Sequence, residues 1–267
     1  MVRRGSDNQA DPIRLGKMQE SIPIIGDMRV VVVEHEADAG LGFLAGWLPA
    51  ASLEFELVRP YLGDPVPARA TGGLIVLGGE ASAWQDEQYP WLPATRELIA
   101  RSVADQVPTL GICLGAQLMT LACGGAVERG RHGLEIGVTA IDPLPAAAGD
   151  PLLGHLLPGS PALQFHYDVI ATPPPGAVPL ATGATYPHQA YRLGPAAWAV
   201  QFHPEATPEI FTGWLALGAD RITAEGRDVA ALAAAARQAG QRLAGTWRPF
   251  AEGFATVVRR QRELAGG

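Results

Sequence analysis

Cysteine is scarce in this sequence: 267 residues contain only Cys113 and Cys123. Disulfide-stapled secreted folds are far denser in cysteine, so the two read as free thiols of a reduced, cytoplasmic protein. Spaced Cys/His clusters of the zinc-binding kind are missing, as is a phosphate-cradling Gly–Lys–Ser/Thr loop. Neither zinc nor ATP, nor any other cofactor, is expected. Basic charge is also short, with 20 Lys and Arg against 27 Asp and Glu and a net charge of -7. That balance argues against nucleic acid or an anionic membrane as the main partner, since both require a basic face. No apolar run approaches the roughly 20 residues of a membrane-spanning helix. Residues 1–27 lack the continuous apolar stretch of a signal peptide and read as a polar, mobile leader.

What is present suits a packed core, since 48% of the residues are hydrophobic. From residue 30 the chain alternates strand and helix signals. The β-branched run Val30 to Val33 has the character of a strand buried on both faces. Residues 40–51 read as a helix, 54–58 and 74–77 as strands, 91–103 as a helix and 108–112 as a strand. Residues 114–122 read as a further helix, closed by Gly124 and Gly125. Such alternation predicts an α/β fold with a mostly parallel central sheet flanked by helices. Residues 134–203 contain shorter strands broken by Pro and Gly, which predicts a small antiparallel excursion. Three helices should follow, over 208–217, 228–243 and 250–264. The expected organisation is a leader to residue 27, a main α/β domain over 28–217, and a helical extension over 218–267 packed on the same domain.

The strongest chemical signal lies at the junction of the 108–112 strand and the 114–122 helix. Cys113 stands there with Gly111 two residues before it and Gly115 two after. This is a nucleophile-elbow pattern with Cys in place of Ser. The glycines leave space in a sharp turn, and the helix N-terminus favours a thiolate. The backbone N–H of Leu114 would face a developing oxyanion. An arbitrary cysteine is more often simply buried, and Cys123, which lacks this frame, is assigned to packing. Of six histidines, only His203 follows a clear buried strand and precedes a carboxylate two residues on, Glu205. Nucleophile, base and orienting carboxylate make a Cys113–His203–Glu205 triad.

Gly-Ile-Cys-Leu-Gly-Ala-Gln at 111–117 and Val-Gln-Phe-His-Pro-Glu at 200–205 together resemble the class I glutamine amidotransferases, in particular the stand-alone, GMP-synthase-like branch. Leu-Gly-Gly-Glu at 77–80, Tyr-Pro-Trp-Leu at 89–92, Glu-Ile-Gly at 135–137 and Gln-Ala-Tyr-Arg-Leu-Gly at 189–194 occur in the family's order. The resemblance covers residues 29–217 and implies a flavodoxin-like fold. It implies hydrolysis of the glutamine side-chain amide through a γ-glutamyl thioester, with Cys113 as nucleophile, His203 as base and acid, and Glu205 as orienter. It further implies an oxyanion hole from the N–H groups of Gly79 and Leu114, and substrate contacts from Gln117, His166, Tyr167 and Asp168. Two positions depart from the family pattern: Tyr167 stands where Gly is common, and Glu80 replaces the Pro usual after the paired glycines. A separate synthetase subunit receiving ammonia is the partner the family implies. The same triad would also serve a free-standing γ-glutamyl peptide or amide hydrolase, and a non-catalytic regulatory protein on this fold is the third reading.

Overall fold

A computed structural model describes residues 29–266. The leader expected over residues 1–27 lies outside the described residues. The core is a nine-stranded sheet of order β2-β1-β3-β4-β11-β10-β9-β6-β7. Five strands run parallel: β1 (Val30–Val33), β2 (Phe55–Val58), β3 (Leu74–Val76), β4 (Thr109–Ile112) and β11 (Ala197–Val200). All four residues of β4 and of β11 are buried, as expected of strands covered on both faces. Helices α1 (Leu44–Ala50), α2 (Leu92–Ala104) and α3 (Leu114–Ala122) belong to this half. The architecture is thus α/β with a mixed, mostly parallel sheet.

The antiparallel part is larger than a small excursion. Strands β6 (Glu135–Pro143), β7 (Ser160–His166), β9 (Ala177–Gly183) and β10 (Ala190–Leu193) continue the same sheet outward from β11. A separate pair, β5 (Ala126–Arg129) and β8 (Asp168–Thr172), sets Arg129 opposite Asp168. The extra extent escapes a sequence reading because short strands separated by Pro and Gly do not reveal their partners.

Helix α4 (Pro208–Leu217) opens on Thr207, whose hydroxyl accepts from the Ile210 N–H. A short helix α5 (Ala219–Ala224) follows, and then α6 (Val229–Gly266) runs continuously for 38 residues. Two separate helices were expected there, over 228–243 and 250–264. Proline removes one helical hydrogen bond, but the apolar spacing crosses it without interruption. Ala236, Ala239, Leu243, Trp247, Phe250, Phe254 and Val258 are all buried on one face. Each large side chain so covered contributes about 1.5–3 kcal/mol, enough to hold the helix through a single missing bond. The helix packs on α1, α4, β6 and β7. Among the described residues no helix is long and apolar enough to cross a membrane.

Candidate active site

Cys113 links β4 to α3 with φ 51° and ψ -106°, a backbone conformation that side chains rarely adopt. Such strain costs on the order of 1–3 kcal/mol and persists only where the surroundings impose it. Here Cys113 N–H donates to the Val200 carbonyl at 2.9 Å, and the Cys113 carbonyl accepts from Gln117 N–H at 3.0 Å. The flanking glycines are required by space. A Cβ on Gly111 would lie 2.6 Å from the Gly115 carbonyl oxygen, and one on Gly115 would fall onto the Val76 carbonyl. The thiol is therefore presented at the N-terminus of α3, where the helix dipole favours an anion.

His203 stands three residues past the end of β11, and its N–H donates to the Leu163 carbonyl at 2.9 Å. Its Nδ1 is 2.7 Å from Glu205 Oε1, and both side chains are buried. The Trp214 ring covers the imidazole, with centroids 4.7 Å apart. Burial opposes charging this imidazole, yet the Glu205 carboxylate and the neighbouring Cys113 sulfur outweigh it and raise its pKa. Gly78 packs against the pair: a Cβ there would sit 3.0 Å from His203 Cε1 and 3.6 Å from Cys113 Cβ.

Cys113 and His203 open into a cavity of about 300 Å³. Gly79, Glu80, Gln117, His166, Tyr167 and Asp168 line it as well. Leu114 is the first residue of α3 and is buried. Behind Gly79 stands His35, which a Gly79 Cβ would approach to 3.0 Å. Trp91 Nε1 donates to His35 Nδ1 at 3.0 Å, and burial lowers the His35 pKa to about 4. His35 is therefore a neutral support for the loop carrying Gly79.

The facing wall rests on a buried polar network. His166 meets only acceptors: its Nδ1 is 3.1 Å from the Asp168 carbonyl, and its Nε2 is 3.1 Å from both Gln164 Oε1 and Glu135 Oε2. Gln164 Nε2 donates to Gln189 Oε1, and Gln189 Nε2 donates to Glu135 Oε2. Gln117 Nε2 donates to the Asp168 carbonyl at 2.8 Å and lies 3.4 Å from Gln201 Oε1. Both His166 and Gln117 thus hold the Asp168 backbone. The Asp168 carboxylate itself faces the cavity, accepting from Ser82 Oγ and lying 3.4 Å from Arg129 Nη1.

Several residues of the site were not foreseen from sequence. Gln201, buried, directs Nε2 at Cys113 Sγ at 3.8 Å; it sits inside the Val-Gln-Phe-His segment, which was the available signal. Ser82, Trp214, Arg129 and Arg221 reach the cavity from distant parts of the chain, and nothing local marks them. Among the described residues, no group of three His, Cys, Asp or Glu side chains is placed to hold a metal ion.

Comparison with known proteins identifies the family. The family described as glutamine amidotransferase class-I matches residues 64–216, more than half of the chain. The Geobacillus kaustophilus GMP synthase (glutamine-hydrolyzing) is 34% identical over 150 residues, 55% of this chain and 27% of its own length. The Aeropyrum pernix GMP synthase is 32% identical over 72% of this chain and 35% of its own length. This chain therefore spans about a quarter to a third of those relatives. The glutamine amidotransferase-like protein YfeJ of Salmonella typhimurium is 31% identical over 70% of this chain and 79% of its own length. Among solved structures, a glutamine amidotransferase from Methylobacillus flagellatus superposes with a TM-score of 0.76 at 26% identity, covering 88% of this chain and 95% of the other.

Proposed function

This chain belongs to the class I glutamine amidotransferase family, and on that premise we propose that it hydrolyses the side-chain amide of glutamine through Cys113, His203 and Glu205. One observation carries the reading. A strained elbow cysteine and a carboxylate-bound histidine, 90 positions apart in sequence, open into one cavity. In the proposed reaction the Cys113 thiolate attacks the Cδ carbonyl, and the N–H groups of Gly79 and Leu114 receive the oxyanion. His203, held by Glu205, gives its proton to the departing ammonia. A water that loses a proton to the same imidazole then cleaves the γ-glutamyl thioester, releasing glutamate and restoring the thiol. The ammonia is proposed to pass to a synthetase, as the GMP synthase relatives suggest.

The second reading, a γ-glutamyl peptide or amide hydrolase, uses the same steps with a larger amine leaving. It is raised by two departures from the family pattern, Glu80 and Tyr167, which line the cavity and so change the surface a substrate would meet. Purified protein offered glutamine and a γ-glutamyl dipeptide separately distinguishes the readings by release of glutamate. Replacing Cys113 by Ala should lower turnover of the preferred substrate by roughly 10⁶-fold. Undiminished turnover in Cys113→Ala protein would sink both readings.

A further inference from the structure

Arg221 lies in α5, beyond the residues matched by the family, yet it reaches the cavity that holds Cys113. It does so beside Tyr167, the position where the family commonly has Gly. The Tyr167 ring carries Arg129 on it, with Cζ 3.8 Å from the ring centroid, and Arg221 beside it at 5.4 Å. Tyr167 Oη donates to Glu225 Oε1 at 3.3 Å, which tethers the ring to the segment just after α5. Arg129 is partly neutralised by Asp168 at 3.4 Å. For Arg221, no carboxylate among the described residues lies within ion-pairing distance. The side chain is exposed at the cavity mouth.

This corner therefore presents two carboxylates, Asp168 and the Glu225 group held by Tyr167 Oη, next to two guanidinium groups, of which only Arg129 is ion-paired among the described residues. An α-amino acid carries the complementary charges on a single carbon, an ammonium and a carboxylate. A guanidinium fork matches a planar carboxylate in geometry as well as charge. Stacking on an aromatic ring restrains that fork without consuming its N–H donors. Resting on the glutaminase reading above, in which the 166–168 segment already meets the α-amino acid end of the substrate, we propose that Arg221, together with Arg129 across Tyr167, binds the α-carboxylate of the γ-glutamyl substrate. Arg221 thus determines specificity from outside the family domain. It makes substrate recognition depend on the junction between α4 and α6.

The test uses the full chain carrying Cys113→Ala, so that ligands bind without turnover, and reads affinity calorimetrically. The ligands are glutamine, glutamine with its α-carboxylate converted to an amide, γ-glutamylglycine and γ-glutamyl methylamide. Adding Arg221→Ala should weaken glutamine, γ-glutamylglycine and γ-glutamyl methylamide alike, by roughly tenfold to a hundredfold. The α-amide should bind weakly to both proteins and lose nothing further. Arg221→Lys should restore part of the affinity, and raised salt should narrow the difference. An equal loss for all four ligands, or no loss for any, overturns the proposal while leaving the substrate reading intact. A loss confined to γ-glutamylglycine assigns Arg221 to the leaving group and overturns the α-carboxylate assignment. Failure of all four to bind the Cys113→Ala protein defeats the substrate reading and this proposal with it.

Discussion

The two walls of the cavity are built by different means. Cys113 sits directly after β4 and His203 three residues past β11, on neighbouring parallel strands whose residues are buried throughout. Their positions follow from backbone: the end of a strand, the start of a helix, and glycines that leave no room for anything else. The opposite wall, Asp168 with Tyr167, Arg129 and Arg221, draws on β5, β8 and α5 and is held by side chains. On the proposed reading, chemistry is carried by the rigid centre of the sheet. On the same reading, recognition falls to a periphery that can vary without disturbing it.

The largest effect that would sharpen this contrast is expected at Glu205. Glu205→Gln removes the carboxylate that orients His203 and should lower kcat by roughly 10⁴-fold, with KM little changed. A matching change in KM would mean that Glu205 belongs to recognition after all. The same variant reports on pH. Because the folded pKa of His203 is raised from its ordinary 6.5 to about 10, its charge pairing stabilises the protein fully below about pH 6.5. That stabilisation is lost as pH climbs through the raised value. The melting-temperature gap between wild type and Glu205→Gln should therefore shrink as pH rises from about 6.5 to about 10. A gap that widened with pH would contradict the assigned ion pair.

Next in size is Gly115→Ala, which drives a methyl group into the Val76 carbonyl. Overpacking of this kind costs about 1–3 kcal/mol. Thermal unfolding should show it, and any protein that folds should have a misplaced thiol and a reduced kcat. Full stability would mean that the elbow tolerates movement, against the rigid-centre view. The smallest effect should come from Glu135→Gln. This keeps an acceptor for His166 and Gln189 but removes the charge behind the Asp168 loop. A rise in KM of about tenfold at unchanged kcat is expected, equivalent to about 1.4 kcal/mol. A fall in kcat at unchanged KM would tie this network to the chemical wall instead.

The same contrast separates what could be read in advance from what could not. The 30–33 strand and the 114–122 helix were legible because their signals are local: a β-branched run and a Gly-flanked turn. Cys113, His203 and Glu205 could be singled out for the same reason, since strand-end polar residues beside Gly or Pro are conspicuous within a few positions. The extent of the antiparallel strands was not legible, because β6 pairs with both β7 and β9 and neither pairing is encoded in β6 alone. Nor was the single α6, where the gain from burying Trp247 and Phe250 overrides the local preference of Pro249 to end a helix.

Rules acting over a few residues were therefore enough to specify an α/β chain with a candidate nucleophile, base and orienting carboxylate, and the motifs at 111–117 and 200–205 carried its resemblance to the class I amidotransferases. Steric exclusion at the elbow and charge pairing two residues apart need no knowledge of distant segments. Folding in three dimensions was required to turn Gln201 toward Cys113, to set Arg129 against Asp168 across a strand pair, and to bring Arg221 to the cavity mouth. Those contacts join positions far apart in the chain, and their geometry is set by how the sheet and the later helices pack.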